Sequence, residues 1–418
     1  MNDNPPELRL KFLVDKIGSG KTPLGGAQAY VPTGVMFLRS QNVHFDGLRL
    51  QDVVFIDEDT DAEMASTRVE PEDVLLNITG ASLGRCALVP AGSKRANVSQ
   101  HVCIIRPNTR NILPSYLNNV LQSAVVQSQI FSGENGSSRE GLTFEQIANL
   151  AIPLPSLARQ RAVADYLDRE TARLDALVEA KEQVLGLLAE KRRALITRAV
   201  TRGLDPHSVL RDSGVSWLGD IPAHWETERA RWLFRERDQR SETGEEELLT
   251  VSHLTGVTLR SEKDVNMFEA ETTEGYKISL SGDLVINTLW AWMGAMGVSP
   301  VNGIVSPAYN VYQPGPRLEP SYVDALVRLP VFAQEVTRYS KGVWSSRLRL
   351  YPEGFFEVFL PVPPLIEQRA IVAHIAKEAQ KLDDLRFATE RTTILLKERR
   401  AALIAAAVTG RIDVSEAA

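Results

Sequence analysis

Residues 152–205 read IPLPSLARQRAVADYLDRETARLDALVEAKEQVLGLLAEKRRALITRAVTRGLD, and residues 360–413 read LPVPPLIEQRAIVAHIAKEAQKLDDLRFATERTTILLKERRAALIAAAVTGRID. The second stretch repeats the first without a gap about 208 residues later, with roughly 23 identities over about 54 positions. Each copy reads as one long helix. Pro153 and Pro155, matched by Pro361 and Pro363, mark an extended lead-in, because a residue before proline is pushed out of the helical region. Ser156 is placed to cap the first helix. Leu167, Leu174, Leu188 and Leu195 recur at heptad spacing, as do Ile375, Leu382, Leu396 and Leu403. The missing member is polar in both copies, Lys181 and Thr389. Gly203 followed by Pro206 is a stop signal. At about 1.5 Å per residue, a helix of roughly 45 residues spans about 65–70 Å, which suits a coiled coil better than a domain core. Two such helices separated by globular chain pair most easily antiparallel.

The segments before each helix repeat more faintly. Glu72-Asp73-Val74-Leu75-Leu76-Asn77 resembles Gly282-Asp283-Leu284-Val285-Ile286-Asn287, and Pro114-Ser115-Tyr116-Leu117 echoes Pro320-Ser321-Tyr322-Val323. Ser137-Ser138-Arg139 returns as Ser345-Ser346-Arg347. Short β-rich runs (VLLNI, HVCII, DLVIN, NVYQ) punctuated by Gly and Pro predict compact mixed α/β domains. The expected fold class is α+β: globule 1–152, helix 153–206, globule 207–360, then helix and tail 361–418.

The 418 residues suffice for about two to four domains. No apolar run approaches the roughly 18 residues of a membrane span, and MNDNPPEL is no signal peptide. With only Cys86 and Cys103, the composition suits a reducing cytoplasm, the thiols packing as small apolar groups. The net charge of -6 argues against a simple nucleic-acid binder and leaves room only for a local basic patch or charge supplied by a partner.

Several fragments imitate catalytic motifs incompletely. Gly18-Ser19-Gly20-Lys21-Thr22 looks like the tail of a phosphate loop, yet Asp15 stands where the first glycine belongs and Pro23-Leu24-Gly25-Gly26 is a poor helix start. Asn4-Pro5-Pro6-Glu7 lacks the aromatic of an amino-methyltransferase turn. Glu179-Ala180-Lys181 falls within the long helix, where charges form a solvated face. The six histidines have no metal spacing, and no Gly-x-Ser-x-Gly elbow occurs. An enzyme is therefore not expected.

Other stretches resemble the specificity (S) subunit of Type I restriction-modification enzymes. Ser213-Gly214-Val215-Ser216-Trp217-Leu218-Gly219-Asp220-Ile221-Pro222 with His224-Trp225 looks like the start of a target-recognition domain in that family. Ile-Pro-Leu-Pro leading to Gln160-Arg161, and Leu-Pro-Val-Pro leading to Gln368-Arg369, resemble its junction from recognition domain to helix. Lys191-Arg192-Arg193-Ala194-Leu195-Ile196 with Val200-Thr201 is similar to its helix end. The likeness covers nearly the whole chain in layout and is loose inside the globular domains. The first half departs from it, beginning Leu8-Arg9-Leu10-Lys11-Phe12 without the Trp-Leu-Gly-Asp-Ile-Pro segment.

The resemblance implies a non-catalytic, cytoplasmic subunit with two target-recognition domains and an antiparallel coiled coil. Each domain would read one half of a bipartite site in double-stranded DNA, with the helices as a ruler between them. The helices would also dock methyltransferase subunits, two in number, and restriction/translocase subunits would join. S-adenosylmethionine and ATP/Mg would belong to those partners, with no cofactor in this chain.

Base reading needs forked donors, amides or hydroxyls on exposed loops, and phosphates take cations and backbone N–H groups. Gly136-Ser137-Ser138-Arg139 and Lys341-Gly342-Val343-Trp344-Ser345-Ser346-Arg347 fit best, being polar, basic and placed before the helix junction in both halves. Asn77, Thr79 and Arg85 with Ser99, Gln100 and His101 form a second set. Asn287, Thr288, Trp290 and Trp292 match it in the other half, and Arg39, Gln41 and Asn42 complete the candidates. The competing readings are a coiled-coil scaffold that reads no DNA and a free-standing DNA-modifying enzyme. Salt-sensitive binding to a split site separates the first two, and methyl transfer by the chain alone would mark the third.

Overall fold

The computed structural model describes residues 5–132, 141–263, 272–342 and 348–414. The chain divides into two units, Met1–Glu182 with Glu390–Ala418, and Gln183–Thr389. Each combines one globular half with one end of each long helix.

The principal strands of the first unit are β1 (Glu7–Arg9), β2 (Val14–Ser19), β3 (Val35–Leu38), β4 (Val54–Ile56), β5 (Arg68–Val69), β6 (Val74–Asn77), β7 (Cys86–Leu88), β8 (Ala96–Val98) and β9 (Val102–Pro107). Helix α1 (Pro114–Gln122), strand β10 (Ala151–Pro153) and the long helix α2 (Leu157–Arg202) follow. An antiparallel sheet has the order β2-β9-β6-β7, and a mixed sheet the order β4-β3-β8-β5 with β3 and β8 parallel. Val74, Leu76, Cys86, Cys103 and Ile105 send one face of the first sheet against α1, α2 and the end of the second long helix, while Leu75 and Ile104 point to the other sheet. This is the period-two alternation of a sheet covered on both sides.

The second unit repeats that plan. A hairpin of β11 (Leu210–Asp212) and β12 (Asp220–Pro222) precedes β13 (Glu226–Arg229), β14 (Phe234–Glu236), β15 (Leu284–Asn287), β16 (Met296–Val298) and β17 (Tyr309–Pro314). Helix α3 (Pro320–Val327), strand β18 (Phe359–Val362) and helix α4 (Leu365–Val408) complete it. The order β14-β17-β15-β16 reproduces β2-β9-β6-β7, and Tyr309 pairs with Asn287 as Val102 pairs with Asn77. β1 pairs with β10 and β13 pairs with β18, so the two halves begin alike. The Trp-Leu-Gly-Asp-Ile-Pro segment missing from the first half lies in and beside the added hairpin, where Leu218, Ile221 and Trp225 are buried with Ala199 and Val200. Ile412 and Val414, beyond the end of α4, pack into the core of the first unit.

Two buried side chains explain why each globule grips helices. Gln160 and Gln368 are both fully buried. The Gln160 amide oxygen accepts from Leu113 N–H at 2.9 Å, and its nitrogen donates to Asn111 O and Pro155 O at 3.1 and 3.0 Å. Gln368 repeats the set with Glu319 N–H, Arg317 O and Pro363 O, each at 2.8 Å. Each amide thus ties the first turn of a long helix to the start of α1 or α3. The tyrosines of the Pro-Ser-Tyr repeat hold the opposite helix by its carboxyl end. Tyr322 donates to Val200 O at 2.8 Å, and the Tyr116 hydroxyl is shared between Pro153 O at 2.9 Å and Val408 O at 3.4 Å. Burial pushes both phenols above their usual range, so they remain donors.

With one helix held at its start and the other at its end, the pair runs antiparallel. Asp175 pairs with Arg400 and Glu182 with Lys397 in the first unit, and Arg192 pairs with Asp383 in the second. Such partly exposed pairs each contribute about 0.2–1 kcal/mol and fix register more than stability. The expected heptad residues lie at the seam: Leu167, Leu174 and Leu382 are buried, and Leu188, Leu195, Ile375, Leu396 and Leu403 half-buried. The α+β class with two paired long helices is as the sequence predicts. Gly203 closes α2 at φ +71°. No helix among the described residues is long and apolar enough to cross a membrane.

Replacing Gln368 by Ala should leave a buried N–H and two carbonyls without partners, lowering stability by about 2–3 kcal/mol in urea titrations. A backbone test comes from Glu72, whose φ is +69° where its counterpart Gly282 has +93°. Gly282→Ala should destabilise by about 1–2 kcal/mol, whereas Glu72→Gly should cost nothing, on the same titration.

Candidate nucleic-acid interface

The loops at one end of the shared sheet gather most of the sequence candidates. In the first unit the chain leaves β6 and returns at β7, closed by Asn77 N–H to Arg85 O at 2.8 Å and Gly84 N–H to Asn77 O at 2.9 Å. Gly84 has φ +80°, and a β-carbon there would sit 2.6 Å from the Gln127 amide oxygen, so the tight return requires glycine. The loop between β8 and β9 lies against it. His101 O accepts from Ile78 N–H at 3.0 Å, and the His101 ring lies 2.7 Å from the Thr79 hydroxyl. The Asn77 amide donates to Ser40 O at 2.8 Å, which draws in the turn carrying Arg39, Gln41 and Asn42. Three separate stretches therefore meet in one cluster.

Within it the candidates divide by exposure. Gln41, Gln100 and His101 are exposed, and Thr79 and Arg85 half-buried, the Arg85 guanidinium having no partner among the described residues. Asn42 and Asn77 are buried and serve the loops: Asn42 accepts from Arg39 N–H and donates to Arg49 O. Asn77 Oδ1, the Ser99 hydroxyl and Arg39 Nε are buried without a hydrogen-bond partner. The Arg39 guanidinium donates to Asp52 O at 3.0 Å and lies over the Tyr30 ring.

The second unit builds the same corner differently. Asn287 is buried and accepts from Leu289 N–H at 3.2 Å, while the Thr288 hydroxyl donates to Ala308 O at 2.8 Å. Trp290 and Trp292 stack with centroids 6.1 Å apart and planes at 19°, and Trp290 is half exposed. Trp292 is fixed by donating to Leu289 O. Lys341 and Arg349 exchange two backbone hydrogen bonds of 2.9 Å. Lys341 and Gly342 are exposed.

Gly136, Ser137, Ser138 and Arg139, and Val343, Trp344, Ser345, Ser346 and Arg347, lie outside the described residues. Their neighbours, however, join the corner. Leu142 N–H donates to Ile78 O at 2.8 Å, and Leu350 N–H donates to Thr288 O at 3.1 Å.

Two cations escaped the sequence reading. Arg349 was hidden because only its pairing with Lys341 brings it to the corner. Lys21 belongs to the rejected phosphate-loop look-alike, which forms the end of β2 rather than a loop before a helix. Its backbone N–H donates to Val98 O at 3.2 Å, and its side chain is exposed beside the Ser99 loop. Gly20 is required there, since a β-carbon would meet Val98 O at 1.8 Å. What the corners offer is amides, hydroxyls, stacked indoles and cations. Among the described residues no His/Cys/Asp/Glu group is arranged to hold a metal. Cys86 and Cys103 are free and buried, and burial pushes the Cys103 thiol up to about 12 and Cys86 higher still. Neither is a nucleophile near neutral pH.

The family model for the Type I restriction modification DNA specificity domain matches residues 59–186. The Type I restriction enzyme EcoBI specificity subunit of Escherichia coli is 22% identical over 169 residues, 40% of this chain and 35% of that one. The matches to the first curated relatives span about a third to a half of their length. Among solved structures, a chain from work on complex assembly and conformational transition of the type I R-M system superposes with a TM-score of 0.68 at 20% identity, covering 98% of this chain and 99% of that one. The HsdS subunit from Thermoanaerobacter tengcongensis gives 0.53 at 20% identity, covering 98% of each chain. At these identities the superpositions speak for the fold, which is the doubled globule and long helix derived above. In sequence over part of its length and in fold over nearly all of it, the chain is similar to the specificity subunits of Type I restriction-modification enzymes.

Proposed function

We propose that this chain is the DNA sequence-specificity subunit of a Type I restriction-modification complex and catalyses no reaction itself. The observation that carries the reading is the recurrence of one loop corner, on the same sheet in the same register, in both halves of the chain. Two equivalent corners with different side chains suit two half-sites of different sequence. Residues 1–152 and 207–360 act as the two target-recognition domains, and residues 153–206 and 361–418 as the spacer helices with the tail. Arg139 and Arg347 with their neighbouring serines, Trp344 and Gly342 contact DNA. Trp290 supplies an apolar face, and Lys21, Arg85, Lys341 and Arg349 supply phosphate contacts.

The helices set the spacer and dock two methyltransferase subunits, to which restriction/translocase subunits add; S-adenosylmethionine and ATP/Mg stay with those partners. Exposed apolar side chains on the helices support docking. Leu177, Ile394 and Leu395 are exposed in the first unit, and Val184, Leu187, Leu385 and Phe387 in the second. Apolar groups left in water on a two-helix pair mark a surface that a partner covers. The acidic net charge fits a complex in which neighbouring subunits grip part of the DNA backbone.

Mapping methylated adenine in cells with the gene intact and deleted tests the reading directly: one split motif should vanish on deletion, and an unchanged methylome with the partner methyltransferase expressed would favour the scaffold. Lys341→Ala with Arg349→Ala should weaken binding to one half-site and flatten the salt dependence by roughly two counterions, measured by titrating the assembled complex with duplex at several salt concentrations. Arg139→Ala should affect the other half-site. Inserting one heptad into α2 should change the preferred spacer; an unaltered spacer would remove the ruler.

A further inference from the structure

The carboxyl end of α2 borders a cavity of about 680 Å³ within the second unit, open to solvent. Its rim carries Arg193, Arg198 and Arg202, all exposed and none with a side-chain partner among the described residues. Its lining is apolar where Leu210, Trp217 and Val331 contribute. Trp217 is held in place by donating to Phe359 O at 3.3 Å and by an edge contact with Phe332. The carboxylate in the lining, Asp205, is engaged by His207 N–H and the Ser208 hydroxyl. Three guanidiniums against one carboxylate leave a surplus of two positive charges.

Cations near a helix carboxyl end can serve the helix dipole alone. The internal repeat argues against that as their whole role. In the second copy the three positions are Ala401, Ala406 and Gly410, although about 23 of 54 positions are identical between copies. Helix α4 nevertheless runs through Val408 without them. The helix end therefore does not need these arginines, and in the copy that has them they border the cavity.

We infer that this cavity is a docking site for a peptide segment of a protein partner, one that inserts an apolar side chain flanked by carboxylates. Charge complementarity selects the carboxylates, since guanidinium forks pair bidentately with them. The apolar lining selects the inserted side chain. A DNA backbone would satisfy the arginines but leave the concave apolar floor uncovered. The inference concerns this cavity alone and stands whether or not the loop corners read DNA.

The test is fluorescence anisotropy of the full chain with a labelled dodecapeptide alternating Glu or Asp with Phe and Leu. Saturable binding is expected. It should weaken at least tenfold with Arg193→Ala plus Arg198→Ala, which install the residues that the second copy already tolerates. It should also weaken at least fivefold when Phe and Leu in the peptide become Ser. Thermal unfolding of the double variant checks that the fold is intact, and Val331→Glu gives a second variant that spoils the floor while keeping the arginines. Absence of saturable binding, or binding unchanged in both variants, overturns the proposal. So does a tenfold loss of affinity for a random 20-base-pair duplex with peptide affinity unchanged, which would assign the arginines to DNA.

Discussion

The buried glutamine at the start of each long helix is the constraint on which the rest of the molecule depends. A primary amide without access to water must find its partners inside the protein, and Gln160 and Gln368 find theirs on two different pieces of chain. Once the amide is satisfied, the first turn of the helix has one position relative to its globule. The buried tyrosine then fixes the end of the other helix to the same globule. Antiparallel pairing follows from these two grips, and the apolar seam and the salt bridges fill in around it.

This explains why the helices were legible in sequence while the globules were only partly so. Heptad leucines, flanking prolines and a terminal glycine are local signals, each tied to one backbone consequence. The strands Val74–Asn77 and Leu284–Asn287 were readable as buried runs of apolar residues. The pairing that places β9 between β2 and β6 was not, because it joins residues far apart in the chain whose register depends on tertiary packing. Repeated short words, such as Pro-Ser-Tyr, turned out to mark contacts with a helix end rather than a surface function.

The candidate interface was legible in part for the same reason. Residue type picked out Asn77, Thr288 and Asn42, which do stand at the loop corner, but type cannot say whether an amide faces water or its own backbone. All three are buried and hydrogen-bonded within the loops. Arg349 carried no recognisable pattern and Lys21 a misleading one, since their place follows from strand ends meeting in space. The stacked indoles of Trp290 and Trp292 were visible as a pair only because Trp-Ala-Trp spacing allows one residue of the turn between them.

The buried aspartates before β6 and β15 hold one more lesson. Asp73 receives a two-pronged contact from Arg106 on β9, whereas Asp283 receives its own from Arg237, which follows β14. In the shared register Gln313 stands where Arg106 would be and Gly18 where Arg237 would be. The carboxylate has stayed in place while its counter-ion has moved to the neighbouring strand. The two halves are thus no longer interchangeable strand by strand: a graft of β9 alone into the second half, or of β17 alone into the first, gives one carboxylate two arginines or none. Exchange between the halves has to carry both neighbouring strands together, so that the carboxylate keeps one counter-ion.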